Sequence, residues 1–143
     1  MQDNRIYYSV PQTLTFAAAS HAAQTLDFSV FFDKNDARYI NGGNLGMLIK
    51  TVLTTGTVGS TLAITALGLM RIPPGPANAA EVVVPLTLPA ATTLETALSW
   101  ADGAYYLYPV SFVGDTALVS GVRLSVDPNT GDDFTVTAWL VHS

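Results

Sequence analysis

The chain has 143 residues, no cysteine, six Lys plus Arg against eleven Asp plus Glu, and a net charge of −5. Without cysteine it has neither disulfides nor thiolate metal sites. Without clustered cations it cannot displace counterions from a phosphate backbone, so no nucleic-acid partner is expected.

Charged residues make up 12% of the sequence and apolar residues 49%, against about 25% charged in ordinary soluble domains. Thr and Ser fill much of the gap, in a chain also rich in Ala and Val. Such a chain has little charge with which to cover a solvated exterior, and it suits a protein whose surface is partly covered in an assembly. The length fits one domain over residues 1–143.

Met1 to Val10 has no apolar stretch behind a basic start and is read as carrying no secretory signal. Ile6-Tyr7-Tyr8 is a short strand, or part of an extended arm over residues 1–10 that reaches a neighbour. Pro11 interrupts it, and Thr13 to Ala18 is a short strand. Thr25 to Phe32 alternates, with Leu26, Phe28, Val30 and Phe32 on one face. Asp33-Lys34-Asn35-Asp36 ends it, and Asn41-Gly42-Gly43-Asn44 marks another turn.

Thr51 to Met70 is uncharged over a length that can span a bilayer. Its centre, Thr54-Thr55-Gly56-Thr57-Val58-Gly59-Ser60-Thr61, instead reads as a turn between two strands, and no membrane partner is expected. The first strand, Leu45 to Thr55, sets Leu45, Met47, Ile49 and Leu53 against Leu48 and Val52. The second, Thr61 to Met70, is also apolar on both faces. Strands of that kind are central or covered by a second layer.

Pro73-Pro74-Gly75-Pro76 stops regular structure. Glu81 to Leu88 resumes as a strand that Pro85 confines to an edge or a bulge. Thr92-Thr93-Leu94-Glu95 fits a capping box, with Leu94 and Leu98 one helical turn apart. A short helix or irregular turn is therefore expected up to Asp102-Gly103, with a strand from Leu94 to Trp100 as the competing reading. Ala104 to Val113 is a strand with Tyr105, Tyr106 and Tyr108, and Pro109 suits an edge.

The densest pattern is Ala117 to Ser143. Two alternating runs flank Asp127-Pro128-Asn129-Thr130-Gly131, which suits a hairpin built on a type I turn. In that hairpin Val126 faces Phe134, Leu124 faces Val136 and Val122 faces Ala138. The opposite face pairs Gly121 with Trp139 and brings Arg123 within cation–π reach of the indole. That face is polar near the turn (Ser125, Thr135, Thr137) and apolar at the far end (Val119, Trp139, Val141). A wet face should not end that way, so Val119, Gly121, Trp139 and Val141, with Tyr7 and Tyr8, form the candidate oligomer or partner interface.

Chemical activities find little support. His21 and His142 are the only histidines and neither neighbours a recognisable nucleophile motif. Glu81 and Glu95 read as strand-start and cap residues rather than a glycosidase pair. Asp127, Asn129, Asp132 and Asp133, and likewise Asp33, Asn35 and Asp36, resemble calcium ligands, but turn geometry explains them as well. No cofactor, metal or enzymatic activity is expected. Trp100, Trp139 and the tyrosines are read as core or interface residues before sugar platforms.

About eight strands without helix alternation predict an all-β fold: an antiparallel sandwich, best a jelly roll, with at most one short helix. A small, cysteine-free, lysine-poor, Thr/Ala/Val-rich β chain of this kind resembles the decoration or cement proteins of tailed-bacteriophage capsids. The resemblance covers composition and architecture, and no motif carries residues across. It implies a virion protein on the capsid surface, a dimer or trimer of itself, bound to the major capsid protein between capsomers. The alternative is a carbohydrate- or receptor-binding β module of a virion fibre or surface structure, with Tyr105, Tyr106 and Trp100 as its contacts.

Overall fold

A computed structural model of the chain describes residues 6–17, 21–29, 45–86, 91–110, 120–129 and 131–142. Its strands are β1 (Tyr7–Tyr8), β2 (Gln12–Phe16), β3 (Gln24–Ser29), β4 (Leu45–Thr55), β5 (Thr61–Ile72), β6 (Val82–Pro85), β7 (Ala91–Ser99), β8 (Tyr105–Val110), β9 (Gly121–Pro128) and β10 (Asp133–His142). No helix occurs among the described residues. The uncharged stretch tested for a membrane span is β4, a turn and β5.

The strands form two antiparallel five-stranded sheets. One, here the A sheet, runs β2-β10-β4-β8, with β1 extending the β2 edge along the end of β10. The other, the B sheet, runs β3-β9-β5, and β5 carries both β6 and β7 along its outer side. β6 and β7 thus act as one broken edge strand, so the ten segments fill eight strand positions. Most successive strands lie in opposite sheets, and the strand orders are those of a jelly roll.

Alternation explains which side chains enter the core. Met47, Ile49 and Thr51 of β4 and Phe134, Val136, Ala138 and Leu140 of β10 face inward from the A sheet. Leu62, Ile64 and Ala66 of β5 and Val122, Leu124 and Val126 of β9 meet them from the B sheet. Phe134 joins the layers at one end, stacking on Phe16 with ring centroids 4.7 Å apart and meeting Trp100 in a tilted contact at 4.9 Å. Trp100 is therefore a core residue and not a sugar platform.

The expected closing hairpin does not form. β9 and β10 lie in different sheets: β9 pairs with β3 and β5, and β10 with β1, β2 and β4. The inward faces were read correctly, but they look at each other across the core instead of lying side by side. Alternation determines a strand's face and leaves its neighbour open. The pairing of Gly121 with Trp139 fails with the hairpin. So does the Arg123 contact with the indole, because Arg123 forms a two-pronged ion pair with Asp27 of β3 at 2.7 and 3.0 Å.

The expected helix near Thr92 is the strand β7, and it pairs with β5 rather than with the next segment. Leu94 and Leu98 both pack on the core. A spacing of four satisfies a helical face and a strand face equally, so it could not separate the two. Pro85 sits on an edge strand and Pro109 on β8, the opposite edge of the A sheet, as their missing donors require.

Candidate functional site

Two features stand out: a polar cluster at one end of the sandwich and the outer face of the A sheet. At that end four connections cross between sheets, namely β2–β3, β4–β5, β7–β8 and β9–β10. Asp132 ties them together. Its Oδ2 accepts from the Gly59 N–H at 2.9 Å, the Ser60 N–H at 2.7 Å and the Ser60 hydroxyl at 2.6 Å. Its carbonyl oxygen lies 2.8 Å from Nε2 of His21, and Trp100 donates Nε1–H to the Ser60 hydroxyl at 3.2 Å. Asn129 adds a side-chain bond to the N–H of Thr61 at 2.8 Å.

This cluster gives the acidic residues of the β9–β10 crossover their partners. Asp132 and Asn129 are occupied as acceptors for the neighbouring loop, and Asp133 reaches the Thr55 hydroxyl at 3.3 Å. No group of three His, Asp or Glu side chains placed to hold a metal occurs among the described residues; the 33–36 loop lies outside them. Ser60, Asp132 and His21 are not a catalytic triad. The serine is buried and donates to the carboxylate, while the histidine meets a backbone oxygen. The bond from the Ser60 hydroxyl, then that from the Gly59 N–H, hold the Asp132 carboxyl below its ordinary range, and His21 adds a smaller pull. The cluster is a structural clasp.

The outer face of the A sheet is divided. Pair registers set Thr15 beside Thr135, which is beside Val52, and Thr13 beside Thr137, which is beside Lys50. That half is rich in hydroxyls, and Thr13 and Thr137 bond to each other at 3.0 Å. The next rows are apolar. Trp139 lies beside Leu48 and Leu48 beside Leu107; Tyr8 lies beside Val141, which neighbours Gly46, which neighbours Pro109. Tyr105 leans over β4 toward Trp139, their ring centroids 6.5 Å apart, and Lys50 Nζ sits 5.1 Å above the Tyr105 ring. Leu107, Tyr105 and Tyr8 are 63%, 59% and 55% exposed.

The outer face of the B sheet is different. Its registers bring together Thr25, Ser125 and Thr65, then Asp27, Arg123 and Leu67, then Ala63 and Asp127, with Arg71 beside Val83. Hydroxyls and ion pairs suit water there.

No family model matches the chain, and no curated protein matches it. Solved structures do. A chain in the structure of infectious bursal disease virus, Gx strain, aligns with 98% of this chain and 32% of its own length, at 12% identity and a TM-score of 0.48. A chain of the T13 particle of the same virus aligns with 96% of this chain and 30% of its own, at 10% identity and a TM-score of 0.46. Dimeric latent PorU from Porphyromonas gingivalis aligns with 96% and 13%, at 12% identity and a TM-score of 0.41. The chain thus spans about a third of the virus chains and about an eighth of PorU.

Of the six residues singled out in the sequence, the structure brings three onto one face: Trp139, Val141 and Tyr8. Tyr7 pairs through its backbone with His142 of β10. Gly121 belongs to the other sheet and is buried, where an added Cβ would collide with the Phe28 carbonyl oxygen. Val119 lies outside the described residues. Leu48, Lys50 and Leu107 complete the face and are not among the sequence candidates, and Tyr105, a candidate only as a sugar contact, joins them. Their signal was present in the two-sided apolarity of β4 and the tyrosines of β8, but only the strand order places them beside Trp139.

Proposed function

We propose that the chain is a structural protein of a virion, a decoration or cement protein that binds the major capsid protein between capsomers of a phage head and acts as a small homo-oligomer. One observation carries this reading: the two outer faces differ in kind. The B-sheet exterior is hydroxyl-rich and ion-paired. The A-sheet exterior joins Tyr8, Trp139, Leu48, Tyr105 and Leu107 in apolar rows that hold no acid among the described residues, Asp133 standing at the far end of β10. Apolar burial at subunit seams contributes about 25 cal/mol per Å² before association costs, and a charge-poor chain loses little ion solvation there. The clasp keeps the connecting loops fixed at one end, as a protein that reinforces a shell by rigid contact requires.

The test is gradient fractionation of the source material, probed with an antibody against the purified chain. The chain is expected to band with particles, and decorated particles should resist heat better than particles stripped of it. Recovery only at the top of the gradient overturns the reading.

The second reading is a carbohydrate-binding module. The pairing of exposed Tyr105 with half-buried Trp139 favours it. Trp100 no longer contributes, being buried, and the Tyr106 hydroxyl accepts from the Ala101 N–H at 2.8 Å. Glycan-array binding lost in Tyr105→Ala would establish this reading; an empty array excludes it for the glycans displayed.

A further inference from the structure

We propose that the outer face of the A sheet seats the same face of a second copy of this chain, related by a two-fold axis. The inference rests on the structural reading above and adds which surface joins the copies. Three observations carry it.

The first is charge. Each copy has a net charge of −5, so two copies approach best where acids are absent. Asp27 and Asp127 lie on the outer B sheet, Glu81 and Glu95 at or beside its broken edge strand, and Asp102, Asp132 and Asp133 at or beside the crossover end. Asp133 stands at the crossover end of the outer A sheet, beside Thr55, and among the described residues the one charge beside the apolar rows is Lys50, drawn over the Tyr105 ring. Apposing the apolar rows with each other brings no acid near an acid.

The second is area. Ile6, Tyr8, Val10, Tyr105 and Leu107 are each more than half exposed, and Trp139, Leu48 and Val141 are half-buried. Taking roughly 200 Å² for a full aromatic and roughly 100 Å² for an aliphatic side chain, they offer about 500 Å² per copy. Two copies then bury about 1,000 Å², the threshold of a specific protein interface.

The third is pattern. A two-fold contact pairs a patch with itself, so it needs a patch that complements itself. Here apolar rows meet apolar rows, while Thr13, Thr15, Thr135 and Thr137 form a hydroxyl border on one side. Two twisted sheets pack face to face about 10 Å apart with strands nearly aligned, and the tall Trp139 and Leu107 flank the lower β4 track of Gly46 and Leu48.

The test starts from solution mass by light scattering at about 100 μM, above the micromolar range an interface this small sustains. A dimer is expected. The double variant Tyr105→Glu, Leu107→Glu places acids on side chains that are already exposed, so it should melt as the parent does and associate at least about tenfold more weakly. A monomeric parent overturns the proposal, as does a variant that remains a dimer.

The cysteine-free chain allows a second measurement should the double variant unfold. Single cysteines at Leu107 or Leu48 should form disulfide-linked dimers under mild oxidation, while one at Ser125 on the opposite face should not. Equal cross-linking at Ser125, or none at either A-sheet position, rejects the face. A sugar or another protein as the occupant would appear as a monomeric parent. The outcome is separable from the shell role. A dimer that never bands with particles keeps this inference and removes that one, and a monomer that bands with particles does the reverse.

Discussion

Replacing Asp132 by alanine is the sharpest test of how the crossover end is held. The substitution removes an acceptor that three donors share, and two of them belong to Ser60, which is buried. Hydrogen bonds to an ionised group contribute about 1.5–3 kcal/mol each, and an orphaned buried donor costs about 1–3 kcal/mol. Asp132 is partly exposed, so water replaces some of what is lost. The Gly59 N–H is in an exposed loop and can rehydrate. The Ser60 hydroxyl keeps its bond from Trp100 but loses its own acceptor. A net loss of about 3 kcal/mol is expected, dominated by Ser60. For a chain of this size each kcal/mol moves the melting temperature by about 3–4 °C, so the midpoint should fall by about 10 °C. Asp132→Asn retains a neutral acceptor and should lose about half as much.

The pH dependence supplies the sign. The folded Asp132 carboxyl lies below its ordinary range, chiefly through the Ser60 hydroxyl. A group with a depressed folded pKa contributes stability that is fully present above the unfolded value of about 3.9 and is lost as pH falls through the folded value. The gap between parent and Asp132→Ala should therefore be constant from neutral pH down to about pH 5 and shrink below about pH 4. Thermal melts by circular dichroism across that range are the assay. A midpoint within about 2 °C of the parent at neutral pH would falsify the clasp, since it corresponds to less than about 1 kcal/mol. A gap that widens in acid would overturn the electrostatic account.

Other substitutions probe separate parts. Gly121→Ala should destabilise by several °C in a melt, because the new methyl meets the Phe28 carbonyl oxygen, a backbone atom that cannot swing aside. Thr51→Val keeps shape but removes a buried hydroxyl that donates to the Ala101 carbonyl at 2.8 Å; denaturant melts should show a loss of about 1–2 kcal/mol. The Arg123–Asp27 pair is solvent-facing, so a double-mutant cycle should return no more than about 1 kcal/mol, decreasing with salt. Trp139→Ala should cost less stability than a core tryptophan, about 1–2 kcal/mol, since its ring is only half-buried; a loss near the 3–5 kcal/mol of a full core truncation would place it in the core instead.

Much of this fold is legible without coordinates. The inward sets Leu62–Ile64, Val122–Leu124–Val126 and Phe134–Val136–Ala138–Leu140 follow from period-two alternation, because a strand's neighbouring side chains must point to opposite faces. The prolines at 85 and 109 name edges because they lack a ladder donor. Charge scarcity, and the split of the β10 exterior into threonines and then Trp139–Val141, are likewise sequence properties. What the sequence left open is who neighbours whom. β9 and β10 satisfy their alternation equally well side by side or face to face, and the choice is made by the whole set of crossovers packing into two layers. The same decision turns Asp127–Asp133 from a local hairpin turn into a crossover whose side chains clamp the β4–β5 loop, and it carries Leu48, Lys50, Tyr105 and Leu107 next to Trp139. Alternation is written within each strand and so can be read from it. Strand order is a property of the packed core, where non-local pairings outcompete the local hairpin, and only the tertiary structure decided it.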